Sequence, residues 1–191
     1  MKRPHFIQAC LAIGAFMASP VTIIAKSIRK YREGNGYPVS AGKDRFDKPL
    51  TLLQGDTFFT KISTQDTNGD LYVYESIRPK EGGPSHHYHF DRDEWWYVLQ
   101  GEFIIKTGET TYRAKAGDSV FGPRMVPHSF AKVGEGEAKL LMIFQPAGRK
   151  EEFFKKVREG ATKDLKEEDL ARFNEELGVK QVGPPITFLK R

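Results

Sequence analysis

The sequence predicts a single all-β domain, a sandwich or closed barrel, followed by a helical C-terminal appendage. Three observations lead there. Short runs of branched and aromatic residues recur along the middle of the chain, glycine-centred turn signals separate them, and after Pro146 apolar residues recur at three- and four-residue intervals.

The runs read as strands from Thr57 to Ile62, Leu71 to Ile77, Glu94 to Gln100, Glu102 to Lys106, Thr110 to Arg113 and Leu140 to Phe144. Each is rich in the residue types that suit a pleated, half-buried surface. Asn68-Gly69, Gly101-Glu102, Gly108-Glu109, Gly117-Asp118 and Gly134-Glu135-Gly136 supply turn chemistry between them. Two amphipathic helices follow. Phe153, Phe154 and Val157 form the stripe of the first, and Leu170, Phe173 and Leu177 that of the second, which Gly178 closes. Their charge runs mix both signs and read as solvated faces, while the apolar stripes cover a sheet face or brace a homodimer. The layout is thus a leader or anchor over 1–25, an arm over 26–50, a barrel over 51–147, and helices with a tail over 148–191.

Within this frame His87, His89, Glu94 and His128 form the constellation most telling of chemistry. Strand side chains alternate, so His87 and His89, separated only by Tyr88, share a face, and His86 points away. Phe90 to Asp93 is a turn that lets Glu94 face them from the next strand. His128 follows Pro127 and opens the apolar stretch Ser129-Phe130-Ala131. Ligands on separate strands converge if the sheet closes into a barrel. Three imidazoles and one carboxylate suit one divalent transition metal: Fe, Mn, Ni, Cu, Co or Zn. By the same alternation Trp96 and Val98 share the face of Glu94, and Phe130 that of His128, which gives an apolar inner wall. Trp95 and Tyr97 fall on the opposite face, under the helices. Competition between protons and metal for histidine predicts that binding weakens as pH falls through about 6.5.

These residues carry a resemblance. His87-Tyr88-His89, four residues, Glu94, six residues and Gly101 resemble the first motif of the cupin superfamily, and Gly117, five residues, Pro123 and then His128 resemble the second. Glu81 stands where the leading glycine is expected, Met125 where a later glycine is, and Lys132 where the terminal asparagine is. The resemblance implies a jelly-roll barrel, or double-stranded β-helix, of a small single-domain bacterial cupin. It also implies a dioxygenase of the quercetinase-like type acting on a small hydroxylated aromatic or enolic substrate, with Glu94 as metal ligand or base. A non-catalytic barrel that binds a sugar or signal molecule, and a metal-dependent isomerase or lyase, fit the same residues.

Other function classes are excluded or weakened. The formal charge of +5 comes from basic residues interleaved with acids, with no aromatic readout motif, so nucleic acid is not an expected partner. No phosphate-cradling glycine loop is present. The one cysteine, Cys10, lies in the apolar run from Phe6 to Ala25, so a chain cleaved after that run has no thiol, which removes disulfides and cysteine catalysis from consideration. That run, after Met1-Lys2-Arg3, resembles a secretory signal with Ile23-Ile24-Ala25 as cleavage site. Its twenty residues also suffice to cross a bilayer uncleaved, and Lys26, Arg29, Lys30 and Arg32 beyond it oppose simple export. Export, a membrane anchor over 6–25 and a cytoplasmic location therefore stand as alternatives.

Overall fold

A computed structural model describes residues 35–52 and 55–186, and the expectations for residues 1–25 lie outside these. The strands, in order, are β1 (Leu50–Thr51), β2 (Thr57–Ile62), β3 (Tyr72–Arg78), β4 (Ser85–His89), β5 (Asp93–Gln100), β6 (Glu102–Thr107), β7 (Thr110–Lys115), β8 (Ser119–Gly122), β9 (His128–Val133), β10 (Ala138–Gln145) and β11 (Val179–Pro185). The helices α1 (Lys150–Arg158) and α2 (Glu167–Glu176) lie between β10 and β11. No helix among the described residues is long and apolar enough to cross a membrane.

The strands form two antiparallel sheets, one of six strands in the order β1-β2-β3-β10-β5-β8 and one of five in the order β11-β4-β9-β6-β7. Successive strands repeatedly change sheet, as in a jelly roll, so the two inner faces share one core. Alternation sets those faces. In β5, Glu94, Trp96 and Val98 are buried while Trp95 and Leu99 are exposed; in β10, Ala138, Leu140, Met142 and Phe144 are buried. Strand β9 is buried on nearly every residue, because it runs inside its sheet between β4 and β6. Lys132 is buried there too, and its ammonium donates to the Gly134 carbonyl.

The described part of the arm docks on β2. Asp44 accepts from the Phe46, Lys48 and Thr60 amides, and the Arg45 amide donates to the Thr60 carbonyl.

Helix α1 packs on the inner face of the six-stranded sheet. Phe154 stacks on Phe58 at 5.1 Å and meets Tyr74 edge-on at 5.1 Å, and burying such a ring contributes about 2–3 kcal/mol. Phe153 contacts Phe173 of α2 at 5.9 Å. The expectation that Trp95 and Tyr97 lie under the helices is therefore corrected. They contact each other at 6.4 Å on the outer face, where Trp95 is 38% exposed. The tail after α2 is no loose appendage, since β11 pairs with β4 along Val179–Pro185. Between them Arg92, fully buried in the β4–β5 turn, donates to Asp91 Oδ1 and the Leu177 carbonyl. Gly148 and Gly178 leave room for that guanidinium; a Cβ at Gly148 would lie 2.4 Å from Arg92 Nη1.

Candidate metal centre

The jelly roll brings His87, His89, Glu94 and His128 together, with one ligand atom from each lying within 4.8 Å of the others. The histidines come from β4 and β9 of one sheet, where His87 pairs with His128. Glu94 comes from β5 of the facing sheet, where it pairs with Gly122 and Phe144. The imidazole centroids form a triangle with edges of 4.8, 5.1 and 5.2 Å. His86 points elsewhere, as alternation requires, and its Nδ1 lies 3.1 Å from Ser129 Oγ.

Backbone carbonyls fix two of the rings. His87 Nδ1 donates to the Ser85 carbonyl at 2.7 Å and His128 Nδ1 to the Val126 carbonyl at 2.9 Å. A neutral imidazole that donates through Nδ1 carries its lone pair on Nε2, the tautomer a metal takes. The consequence at His128 is unusual. Its Nε2 is buried without a hydrogen bond and lies 3.2 Å from Glu94 Oε2, which already engages His89 Nε2 at 2.8 Å. An acceptor nitrogen then faces an acceptor oxygen in a dry interior, which is unfavourable unless a cation lies between them. His89 Nδ1 is likewise buried without a partner. The donor set, its burial and the held tautomers together fit a divalent transition metal.

Electrostatics agree. Burial would raise the Glu94 carboxyl, but the adjacent His128 and His89 imidazoles outweigh it and hold the group well below its ordinary value. Desolvation lowers His87 to about 4 against the pull of Glu94, and lowers His89 well below its ordinary 6.5. Burial thus keeps His87 and His89 neutral below the ordinary imidazole value, so protons compete for these two rings at lower pH than for a free histidine. In the unfolded chain His87 returns to 6.5. Between 6.5 and about 4 the unfolded state takes up a proton that the folded state refuses, so metal-free stability falls with pH, by about 3 kcal/mol from His87 alone. Urea unfolding with a chelator present should show this decline from about pH 6.5 downward, and stability unchanged between about pH 7 and 5 would contradict it.

The walls are apolar. Trp96 meets His128 at 5.3 Å, Phe144 meets His89 at 5.7 Å, and Phe130 lies 6.3 Å from Trp96, all three buried as the alternation of β5 and β9 predicted for Trp96 and Phe130. Gly122 seats the Trp96 ring, since a Cβ there would lie 2.6 Å from it. His89 and His128 are 0% exposed and Glu94 2%, while His87 keeps 8%. A cleft of about 1110 Å³ between the arm and α1 contains none of the four residues. Sequence reasoning missed Phe144, which contacts His89, and Tyr74 and Lys150, which pack on Phe144. The first two sit in strands read only as packing. Lys150 precedes Phe153 and Phe154 by three and four residues, which places it on the apolar stripe and not on the solvated face.

Comparison with known proteins agrees with this geometry. Residues 73–144 match the Cupin domain family. An uncharacterized protein of Methanocaldococcus jannaschii is 26% identical over 72 residues, 38% of this chain and 58% of the relative, so the chain spans somewhat over half the length of the curated relative it matches. Among solved structures, an RmlC-like cupin from Shewanella frigidimarina is 21% identical with a TM-score of 0.49, over 64% of this chain and 99% of the other. KdgF from a Halomonas species is 20% identical with a TM-score of 0.47, over 52% and 86%. A predicted oxalate decarboxylase from Thermotoga maritima is 18% identical with the same TM-score, over 52% and 90%. With the His/His/Glu/His cluster inside the matched segment of a two-sheet jelly roll, residues 73–144 of this chain are a cupin domain.

Proposed function

We propose that this chain is a metal-dependent oxidoreductase of the dioxygenase type, acting on a small hydroxylated aromatic or enolic molecule. The observation that carries the reading is the bare Nε2 of His128 facing Glu94 Oε2 at 3.2 Å inside an apolar wall. His87, His89, His128 and Glu94 would hold one divalent ion. Such an ion supplies Lewis acidity and, if redox-active, one-electron chemistry between substrate and oxygen.

The chain's own residues do the rest. The Ser85 and Val126 carbonyls keep His87 and His128 in the ligating tautomer. Trp96, Phe130 and Phe144 exclude water and offer flat surfaces to a planar substrate. Glu94, ionised at neutral pH, accepts the substrate hydroxyl proton: the O–H bond breaks, an Oε takes the proton, and the electron pair stays on the substrate oxygen.

Glu94→Gln keeps the shape of the side chain and removes its charge and basicity. With iron, manganese or nickel loaded and occupancy verified, oxygen uptake on a flavonol and catechol panel should fall by at least about a hundredfold. Undiminished oxygen uptake by the metal-loaded variant would remove Glu94 from this chemistry. Ligand-induced thermal stabilisation of the parent without any turnover would favour the binding barrel over the enzyme.

A further inference from the structure

Lys150 opens α1, yet its ammonium turns inward. Its Nζ lies 5.1 Å from the centroid of Phe144, 5.3 Å from Phe153 and 5.0 Å from Phe154. Among the described residues no carboxylate lies within ion-pair distance of it, whereas its neighbours on the helix are satisfied. Arg149 pairs with Glu152 at 2.7 Å, and Glu151 accepts from Ser63 Oγ at 2.8 Å. Phe144 also contacts His89, so one phenyl ring separates the ammonium from the cluster.

The other interior cations have polar partners where they stand, and Lys132 donates to the Gly134 carbonyl. Arg78 pairs with Asp56 at 2.7 Å and Arg92 with Asp91 at 3.0 Å. Lys150 has only the more distant field of Glu94, and desolvation lowers it to about 8, which leaves it charged at neutral pH. A divalent ion beside Glu94 would leave this interior short of negative charge, and a desolvated cation without a counter-ion is costly.

We propose that Lys150 is an anion-binding residue, which takes a carboxylate or enolate oxygen of the small molecule held beside His87, His89, Glu94 and His128. The inference rests on reading that cluster as a metal centre, and it narrows the ligand class to organic oxyanions. The faces of Phe144, Phe153 and Phe154 hold the ammonium in place but bring no negative charge, and that counter-charge is what the structure leaves unsupplied.

The test uses the full chain loaded with cobalt(II), whose visible absorption reports ligands entering the site. Glycolate and the uncharged glycolamide, alike in shape, are titrated into the parent and into Lys150→Met, which keeps the stem. Parent protein should prefer glycolate. The Met variant should retain its cobalt, bind glycolate about tenfold more weakly or worse, and bind glycolamide unchanged. Lys150→Arg should restore glycolate binding, and Lys150→Gln carries the same comparison if the Met variant loses cooperative thermal unfolding. Glycolate affinity unchanged in the Met variant, or a parent with no preference for glycolate over glycolamide, would overturn the assignment of Lys150 while leaving the metal centre standing. A parent that takes up no cobalt would overturn the metal reading, and the inference with it.

Discussion

Replacing His128 with alanine should weaken divalent-metal affinity by more than a hundredfold, while His86→Ala should leave it within about twofold. Loss of a supporting contact to a metal ligand typically costs about 10–100-fold, and loss of the ligand itself costs more. His128 matters in two ways. Its Nε2 is the buried lone pair directed at Glu94, and its main chain begins β9, which pairs with His87 on β4. Without the imidazole the ion keeps two histidines and a carboxylate, and the cavity left beside Trp96 admits water as a competing ligand. His86 lies one residue from His87 but directs its ring to Ser129. Competition titrations against a chromophoric chelator separate the two variants, and equal losses would mean that neither ring is specifically a ligand.

The second large effect is on the fold. Gly83→Ala should destabilise the protein by about 3 kcal/mol or more, because a Cβ there would lie 1.8 Å from the Phe130 carbonyl oxygen and 2.8 Å from its carbon. Neither atom is a flexible side-chain tip. Both belong to the backbone of β9, held at Lys132 by two hydrogen bonds to Gly82 and along its length by β6. The strand must move, and the strand that moves carries His128. A loss of about 10 °C in Tm follows for a domain of this size, with weaker metal binding as a second consequence. Gly36→Ala, with nothing within 4 Å of the new methyl and no positive φ, is the neutral comparison. Thermal unfolding of the two variants checks this, and a Gly83→Ala protein as stable as the parent would show that β9 yields more easily than its hydrogen bonds imply.

What could be read from the sequence follows from what strands and turns display locally. Strand β2 begins and ends where alternation and flanking signals place it, and β3, β5, β6 and β10 differ by one or two residues at their ends. The cluster was legible because spacing two on a strand puts His87 and His89 on one face, and Glu94 lies just past a turn. Strand β8 escaped because its four residues sit between Gly117-Asp118 and Pro123, too short a run to show a period. Strand β11 escaped because Gly183, Pro184 and Pro185 argue against a strand. It tolerates them at the sheet edge, where its pairing with β4 slips at Gly183 and Pro185. The inward turn of Lys150 and the burial of Arg92 depend on which elements meet, information that no local window holds.

The central claim is that His87, His89, Glu94 and His128 hold one divalent transition-metal ion, and a metal count tests it most directly. Elemental analysis of the full chain, purified from its native host without chelators, should give close to one transition-metal ion per chain, with the ion lost in His128→Ala and retained in His86→Ala. A folded parent protein that carries no transition metal and takes none up from iron, manganese, nickel, copper, cobalt or zinc at neutral pH would contradict the account.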